Sequence, residues 1–407
     1  IEEVGNLCLA AVGICGPIVT LLSSFGTLVG IGGSIWLSMC LGQKNEKRAS
    51  QILYNSFVML VVLSLCLTLG FILLKHNLIY WFGGSDALYP YANTYLTIYT
   101  LGTFFALMSI GLNYFITGQG YATIAMLSVC IGAITNIIFD FILIRTLKIG
   151  VAGAAIGTVV AQFLSCMFVL WFLRFKTKIK LKKEELSIEK MKHIVKLGFS
   201  PFLILASDSI ILIVMNMMLQ KYGGNMGDVY ISAITVAQSY FLLITGPLLG
   251  ISSGTQPIFA YHFGSQNLKK IKEAFKIVIA FAFLFCLIMF IISMCYSNVF
   301  VAMFTNDAMT MPIADRAIKI FCLGILMMSI QYVLVDGITG LSNVKLSLFL
   351  SLNRKMMYLG CTCLLPAFLG VSNIFYAQPA ADIYASIVTI VCFIKIIPSY
   401  LKSHGVK

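Results

Sequence analysis

Long apolar runs separated by short polar breaks recur along the whole chain. They fall at 8–41, 49–75, 94–117, 121–145, 151–173, 197–220, 229–260, 275–296, 317–340, 345–369 and 380–400. Each has about the 20 residues that a helix needs to cross a bilayer. None shows the period-two alternation of a membrane β-strand. The pattern predicts an all-α polytopic membrane protein with eleven spans. The first run is unusually long and is broken by Gly26, Gly30, Gly32 and Gly33.

Composition agrees with the pattern. The chain is 59% hydrophobic and 11% charged, against about 25% charged for soluble domains. Lipid must be the solvent for most of it. The net charge of +13 would suggest a nucleic-acid partner in a soluble protein, but its placement points elsewhere. Of the 28 Lys and Arg, nineteen lie in one alternate set of loops and at the C-terminus, and six in the other set. That excess marks the first set, and the C-terminus, as cytoplasmic. The twelve cysteines form no CxxC pair and lie almost wholly within spans, where a thiol behaves as a small apolar group. No P-loop, HExxH or GxSxG occurs, and the four histidines are scattered near helix ends. Nothing assembles a catalytic centre or a cofactor site, so an enzyme is not expected.

The chain repeats itself. LGQKNEKRA (41–49) matches FGSQNLKKI (263–271) at an offset of 222. The same offset aligns Leu101-Gly102 with Leu323-Gly324 and Ile116-Thr117-Gly118 with Ile338-Thr339-Gly340, and places Gly32 on Gly254. Equivalent loops are basic in both halves, so the repeat is parallel. Three regions follow: a first lobe at 1–173, a basic linker at 174–196 and a second lobe at 197–407. The second lobe opens with a helix, 197–220, that has no counterpart in the first. Twelve helices, six per lobe, are expected of the natural protein, with the first helix missing from this chain. Ile188, Met191 and Ile194 in the linker have helical spacing, which suits a segment lying on the inner leaflet.

A charge at the bilayer centre costs at least ~2.5 kcal/mol, so intramembrane acids are candidates for function. Asn136 and Asp140 are four residues apart and therefore share a helix face. Asp140 lies about 7 Å and Asn136 about 13 Å from the outer end of their helix. Thr158, on the next and oppositely directed helix, comes level with the gap between them at about 10 Å. Carboxylate, amide carbonyl and hydroxyl are hard oxygen ligands that suit Na⁺, or H⁺ if the acid protonates. An interhelical hydrogen-bonded lock is the alternative. The repeat partners are Tyr358, Thr362 and Ala380, so the second lobe lacks the set. Asn113, deeper toward the cytoplasmic side, is a candidate for lining a cavity. So are Asp208 and Asp336, single acids in the second lobe that would attract cationic substrates. Asp382 follows Pro379 near a helix start, where a carboxylate meets water and the positive end of the dipole. Arg354 lies within a span, either snorkelling to the surface or paired with an acid.

AAVGICGPI (10–18), NYFITGQG (113–120), TNIIFD (135–140), GVAGAAIGTVVAQ (150–162), GTQPIFAYHFGSQN (254–267) and SLNRKMM (351–357) together resemble the MATE family, the multidrug and toxic compound extrusion transporters. The resemblance covers the whole chain. It implies two six-helix lobes and Na⁺- or H⁺-coupled antiport of small organic cations and drugs by alternating access. It also implies a monomer in the bacterial inner membrane. In many bacterial members a cation site in the first lobe joins an Asp on the first helix to an Asn, an Asp and a Thr on the fifth and sixth. Asn136, Asp140 and Thr158 match these in order and spacing, and Asn113 matches a polar position on the fourth helix. The first-helix Asp would fall before Ile1. Another branch uses acids on the seventh and tenth helices, where Asp208 and Asp336 lie. The rival reading is a lipid-linked oligosaccharide flippase of the same superfamily, whose cavity should be strongly basic.

Overall fold

Buried in hydrocarbon, a backbone must satisfy its own N–H and C=O groups, and helices do so within one segment. All eleven apolar runs are helical in the computed structural model. The structure describes residues 2–81, 88–304 and 309–406. Side chains are left out at 2–10, 13, 14 and 17 and at several positions from 205 to 228, Asp208 among them.

The helices are α1 (Glu2–Gly42), α2 (Glu46–Trp81), α3 (Tyr89–Leu101), α4 (Thr103–Gly118), α5 (Ala122–Asp140), α6 (Val151–Phe175), α7 (Ile188–Gly223), α8 (Gly227–Gly264), α9 (Leu268–Ala302), α10 (Thr310–Cys322), α11 (Ile325–Gly340), α12 (Val344–Leu369) and α13 (Ala377–Ser403). A π-helical turn, Phe141–Thr146, extends α5. Among the described residues, seven helices and two bent helix pairs are long and apolar enough to cross a membrane. The runs at 197–220 and 345–369 lie within α7 and α12. Outward-facing Leu73, Phe281 and Phe368 are 73%, 60% and 81% exposed, as a lipid-facing surface requires.

Two of the expected spans are not straight. The run at 94–117 breaks by 55° between α3 and α4, and that at 317–340 by 49° between α10 and α11. The breaks fall at Gly102 and at Leu323-Gly324, the positions that the repeat aligns. Adding 222 to Thr103–Gly118 gives 325–340, the bounds of α11. The chain divides into two compact units, Ile1–Ala206 and Ser207–Lys407.

In the first unit α1 packs on α2, α3 and α4, and α5 on α6. Its glycines allow the approach of α4. A Cβ at Gly30 would stand 2.9 Å from the Gly111 Cα, and one at Gly33 would run into the Phe115 ring. Ile188–Lys196 forms the opening turns of α7 and is not a separate helix lying on the leaflet. Its Ile194 is fully buried, with its carbonyl against Gly32, whose missing side chain makes the contact possible. The linker before it is strapped to the first unit. Lys178 pairs with Glu46 at 2.7 Å. Ser50 donates to Glu184 at 2.8 Å, Asn55 bonds the backbone of Glu185 and Ser187 at 2.9 Å each, and the Ile179 N–H donates to Gln119 at 2.7 Å. In the second unit α8 packs on α9, α10 and α11, and α12 on α13. Its core includes Phe259, Phe321 and Phe375.

Candidate functional site

α5 carries Asp140 at its last α-helical residue, where the winding widens into the π turn. Such turns interrupt the regular i→i−4 ladder and often accompany functional residues. α6 runs back beside it. The gap is narrow because α6 presents Gly157 to Asp140: a Cβ at 157 would collide with the Asp140 Oδ1. That oxygen is buried and, among the described residues, has no hydrogen-bond partner. One turn back on α5, Asn136 donates to the Thr158 Oγ1 at a long 3.4 Å. Thr158 in turn donates to the Ala154 carbonyl at 2.9 Å. Gln162 donates to the Tyr99 hydroxyl at 3.1 Å.

The structure therefore brings Asn136, Asp140 and Thr158 to one hairpin. A carboxylate oxygen, an amide carbonyl and a hydroxyl stand within about one helical turn of each other. The unpartnered oxygen is the informative one. A buried acceptor left unsatisfied costs about 1–3 kcal/mol, and more when charged. A bound Na⁺ or an added proton would supply what Asp140 lacks, and the donor set is the hard-oxygen type that either accepts.

A cleft of about 400 Å³ opens beside this hairpin, between α4, α5 and α6. Asn136, Thr158, Gln162 and Ser165 line one side, and Asn113 stands on its α4 wall. Asn113 is held there. It donates to the Ala125 carbonyl at 3.2 Å and accepts from Ser128 at 3.0 Å. It faces the same cleft as Asn136 without joining the Asp140 group.

In the second unit, Gln256 of α8 donates to the Asp336 Oδ1 at 2.8 Å. Ser252 of α8 is the other near polar neighbour of Asp336, and among the described residues the Asp336 Oδ2 accepts no hydrogen bond of good geometry. The side chain of Asp208 lies outside the described residues. Asp382 corrects the expectation from sequence. It does not sit in water at a helix start: it is fully buried and accepts from the Arg354 Nε at 2.8 Å and from Gln378 at 2.9 Å. The guanidinium also donates to the Tyr332 hydroxyl at 3.0 Å and lies 5.1 Å from the centre of its ring. Of the two expectations for Arg354, snorkelling or pairing with an acid, the structure shows the pairing; sequence reasoning did not single out Asp382 as the partner. It also missed Gln256 and Gly157, which have no signal of their own in one sequence. Among the described residues no group of three or more His, Cys, Asp or Glu stands together as for a metal ion.

The comparisons with known proteins converge. "Multidrug export protein MepA" of Staphylococcus haemolyticus is 24% identical over 382 residues, 92% of this chain and 82% of the relative. The protein of the same name from Staphylococcus saprophyticus is 25% identical over 327 residues, 80% of this chain and 71% of the relative. A solved structure described as "Crystal structure of MATE in the bent conformation" covers 100% of this chain and 91% of its own, with a TM-score of 0.92 at 22% identity. A second, "Outward-facing conformation of a multidrug resistance MATE family transporter of the MOP superfamily", covers 97% and 89%, with a TM-score of 0.91 at 23% identity. These likenesses give the fold. The MatE family model matches residues 1–142 and 205–355, most of both units, and the chain belongs to that family of multi-pass membrane transporters, which are not enzymes.

Proposed function

We propose that this chain is a cation-coupled antiporter that exports organic cations and drugs, with Na⁺ or H⁺ binding at Asp140, Asn136 and Thr158. The observation that carries the reading is the buried Asp140 Oδ1 that no group among the described residues satisfies. An acid kept ready but unpaired inside a membrane protein is unstable until a cation arrives. It therefore biases any conformational equilibrium that changes its access to ions. Cation binding favours the state in which Asp140 is enclosed, and drug binding favours the other. The two ligands are then linked through one free energy. The staphylococcal relatives are named for multidrug export. The cleft walled by Asn113 and Asn136 would receive the drug in the first unit. Asp336, held by Gln256, would add negative charge in the second. The excess of basic residues in one loop set supports a cytoplasmic C-terminus in a bacterial inner membrane.

The test is ethidium efflux from cells or proteoliposomes under an imposed Na⁺ gradient and, separately, an H⁺ gradient. Asp140→Asn keeps the shape and removes the charge, and should reduce gradient-driven efflux to the leak rate. Wild-type efflux in that variant under both gradients would refute the coupling role.

A further inference from the structure

The second unit carries a groove that the transport reading does not use. It lies between the start of α9 and the end of α13 and has a volume of about 500 Å³. Its floor is Phe275 against Phe393, ring to ring at 4.9 Å. Ile271, Ile397 and Leu401 form its buried sides. Pro398 interrupts α13 here, since it has no N–H to give the preceding turn, and it lines the groove with Ile394. Two lysines stand among these apolar groups, Lys272 on α9 and Lys402 on α13. Neither forms an ion pair among the described residues. Lys276 stands one turn further along α9 and is also exposed.

Phe393 to Lys402 is nine residues, about 14 Å along α13, and Lys272 to Phe275 is three residues, about 5 Å along α9. The groove thus runs from a cationic rim to an aromatic floor within one leaflet. By the loop charges its rim lies on the cytoplasmic side, where anionic lipids gather at basic sites between helices. A cationic drug is the wrong charge for that rim, and a zwitterionic lipid would gain little from it. We infer that the groove between Lys272 and Lys402 is a binding site for one anionic phospholipid of the inner leaflet, with its phosphate at the two lysines and an acyl chain on Phe275 and Phe393.

A phosphatidylglycerol with a diazirine in its acyl chain tests this on the full chain in nanodiscs of phosphatidylcholine, by mapping labelled peptides. Labelling should concentrate in 268–275 and 393–406. Unlabelled phosphatidylglycerol should compete and added phosphatidylcholine should not. The double variant Lys272→Gln/Lys402→Gln should weaken labelling about tenfold or more, the loss expected for two lipid-facing lysines. Lys269→Gln, on the same helix but outside the groove, should not. Both changes are at exposed positions, and an unchanged Tm would confirm that the double variant is folded. Equal competition by phosphatidylcholine, labelling spread evenly over the outer helices, or displacement of the lipid by ethidium would each overturn the assignment.

Discussion

At the residue scale the first unit's site depends on an absent side chain. Gly157 lets α6 close against Asp140, and a single methyl would occupy the place of the carboxylate oxygen. Gly157→Ala should leave α6 helical, since alanine is the better helix former, while displacing Asp140. Gradient-driven ethidium efflux should fall several-fold, with the monodisperse peak on size-exclusion chromatography retained. Unchanged efflux would mean that the carboxylate's position is not critical. The second unit offers the opposite case, an acid already satisfied. Arg354 and Asp382 are 12% and 0% exposed at the side chain. Removing one partner of such a pair strands a buried charge and costs about 3–5 kcal/mol. Arg354→Met alone should therefore lower the Tm markedly, and Arg354→Met combined with Asp382→Leu should recover much of the loss. Additive losses would show that the two side chains are not coupled and would refute the neutralising role. These two sites were unequally legible in the sequence. Asn136, Asp140 and Thr158 lie on one hairpin with a short turn, so counting residues from that turn places them together. Arg354 and Asp382 are separated by the rest of α12 and by the 3₁₀ segment Val371–Tyr376. That segment sinks the start of α13 into the protein, so depth counted from Pro379 went wrong.

At the scale of elements, the helices were legible because apolar length alone decides them in lipid. The bends were not. Glycine permits a break without requiring one, and only packing decides; at Gly324 that packing is Pro379 and Asp382 of α13, whose atoms stand 2.9 Å from where a Cβ would be. The way the linker is held was not legible for a related reason. Its nine Lys and Arg say nothing of its partners, which are single polar side chains on α2 and just after α4, scattered in sequence. Where the linker meets α7, His193 lies 4.4 Å from the Trp36 ring. Burial, then the nearby Lys196 and Arg48, hold its pKa below the ordinary 6.5. The docked ring is thus neutral, and the undocked one takes up a proton first. Docking is fully stable above about pH 6.5 and weakens as the pH falls below it, toward the lower docked pKa. Amide exchange over 188–196 should accelerate from pH 7.5 to 5.5 once corrected for intrinsic rates, and His193→Phe should abolish the difference. Equal protection at both pH values would exclude His193 as the cause.

At the scale of the whole molecule, the charge distribution and the repeat make separate claims. The first concerns orientation. Green fluorescent protein fused after Lys407 should fluoresce and alkaline phosphatase there should be inactive; the reverse would invert every loop assignment. The second concerns the two units as copies. The offset of 222 carries α5 onto α12 and α6 onto α13. It also carries Gly132 onto Arg354 and Val160 onto Asp382. Gly132 lines the open cleft of the first unit, and at the matching place in the second a guanidinium and a carboxylate fill the space. One copy of the hairpin is thus filled and electrically closed, while the other is open and holds an unsatisfied carboxylate oxygen. On the proposed reading the labour is divided: the hollow copy answers to the ion and the plugged one serves as scaffold.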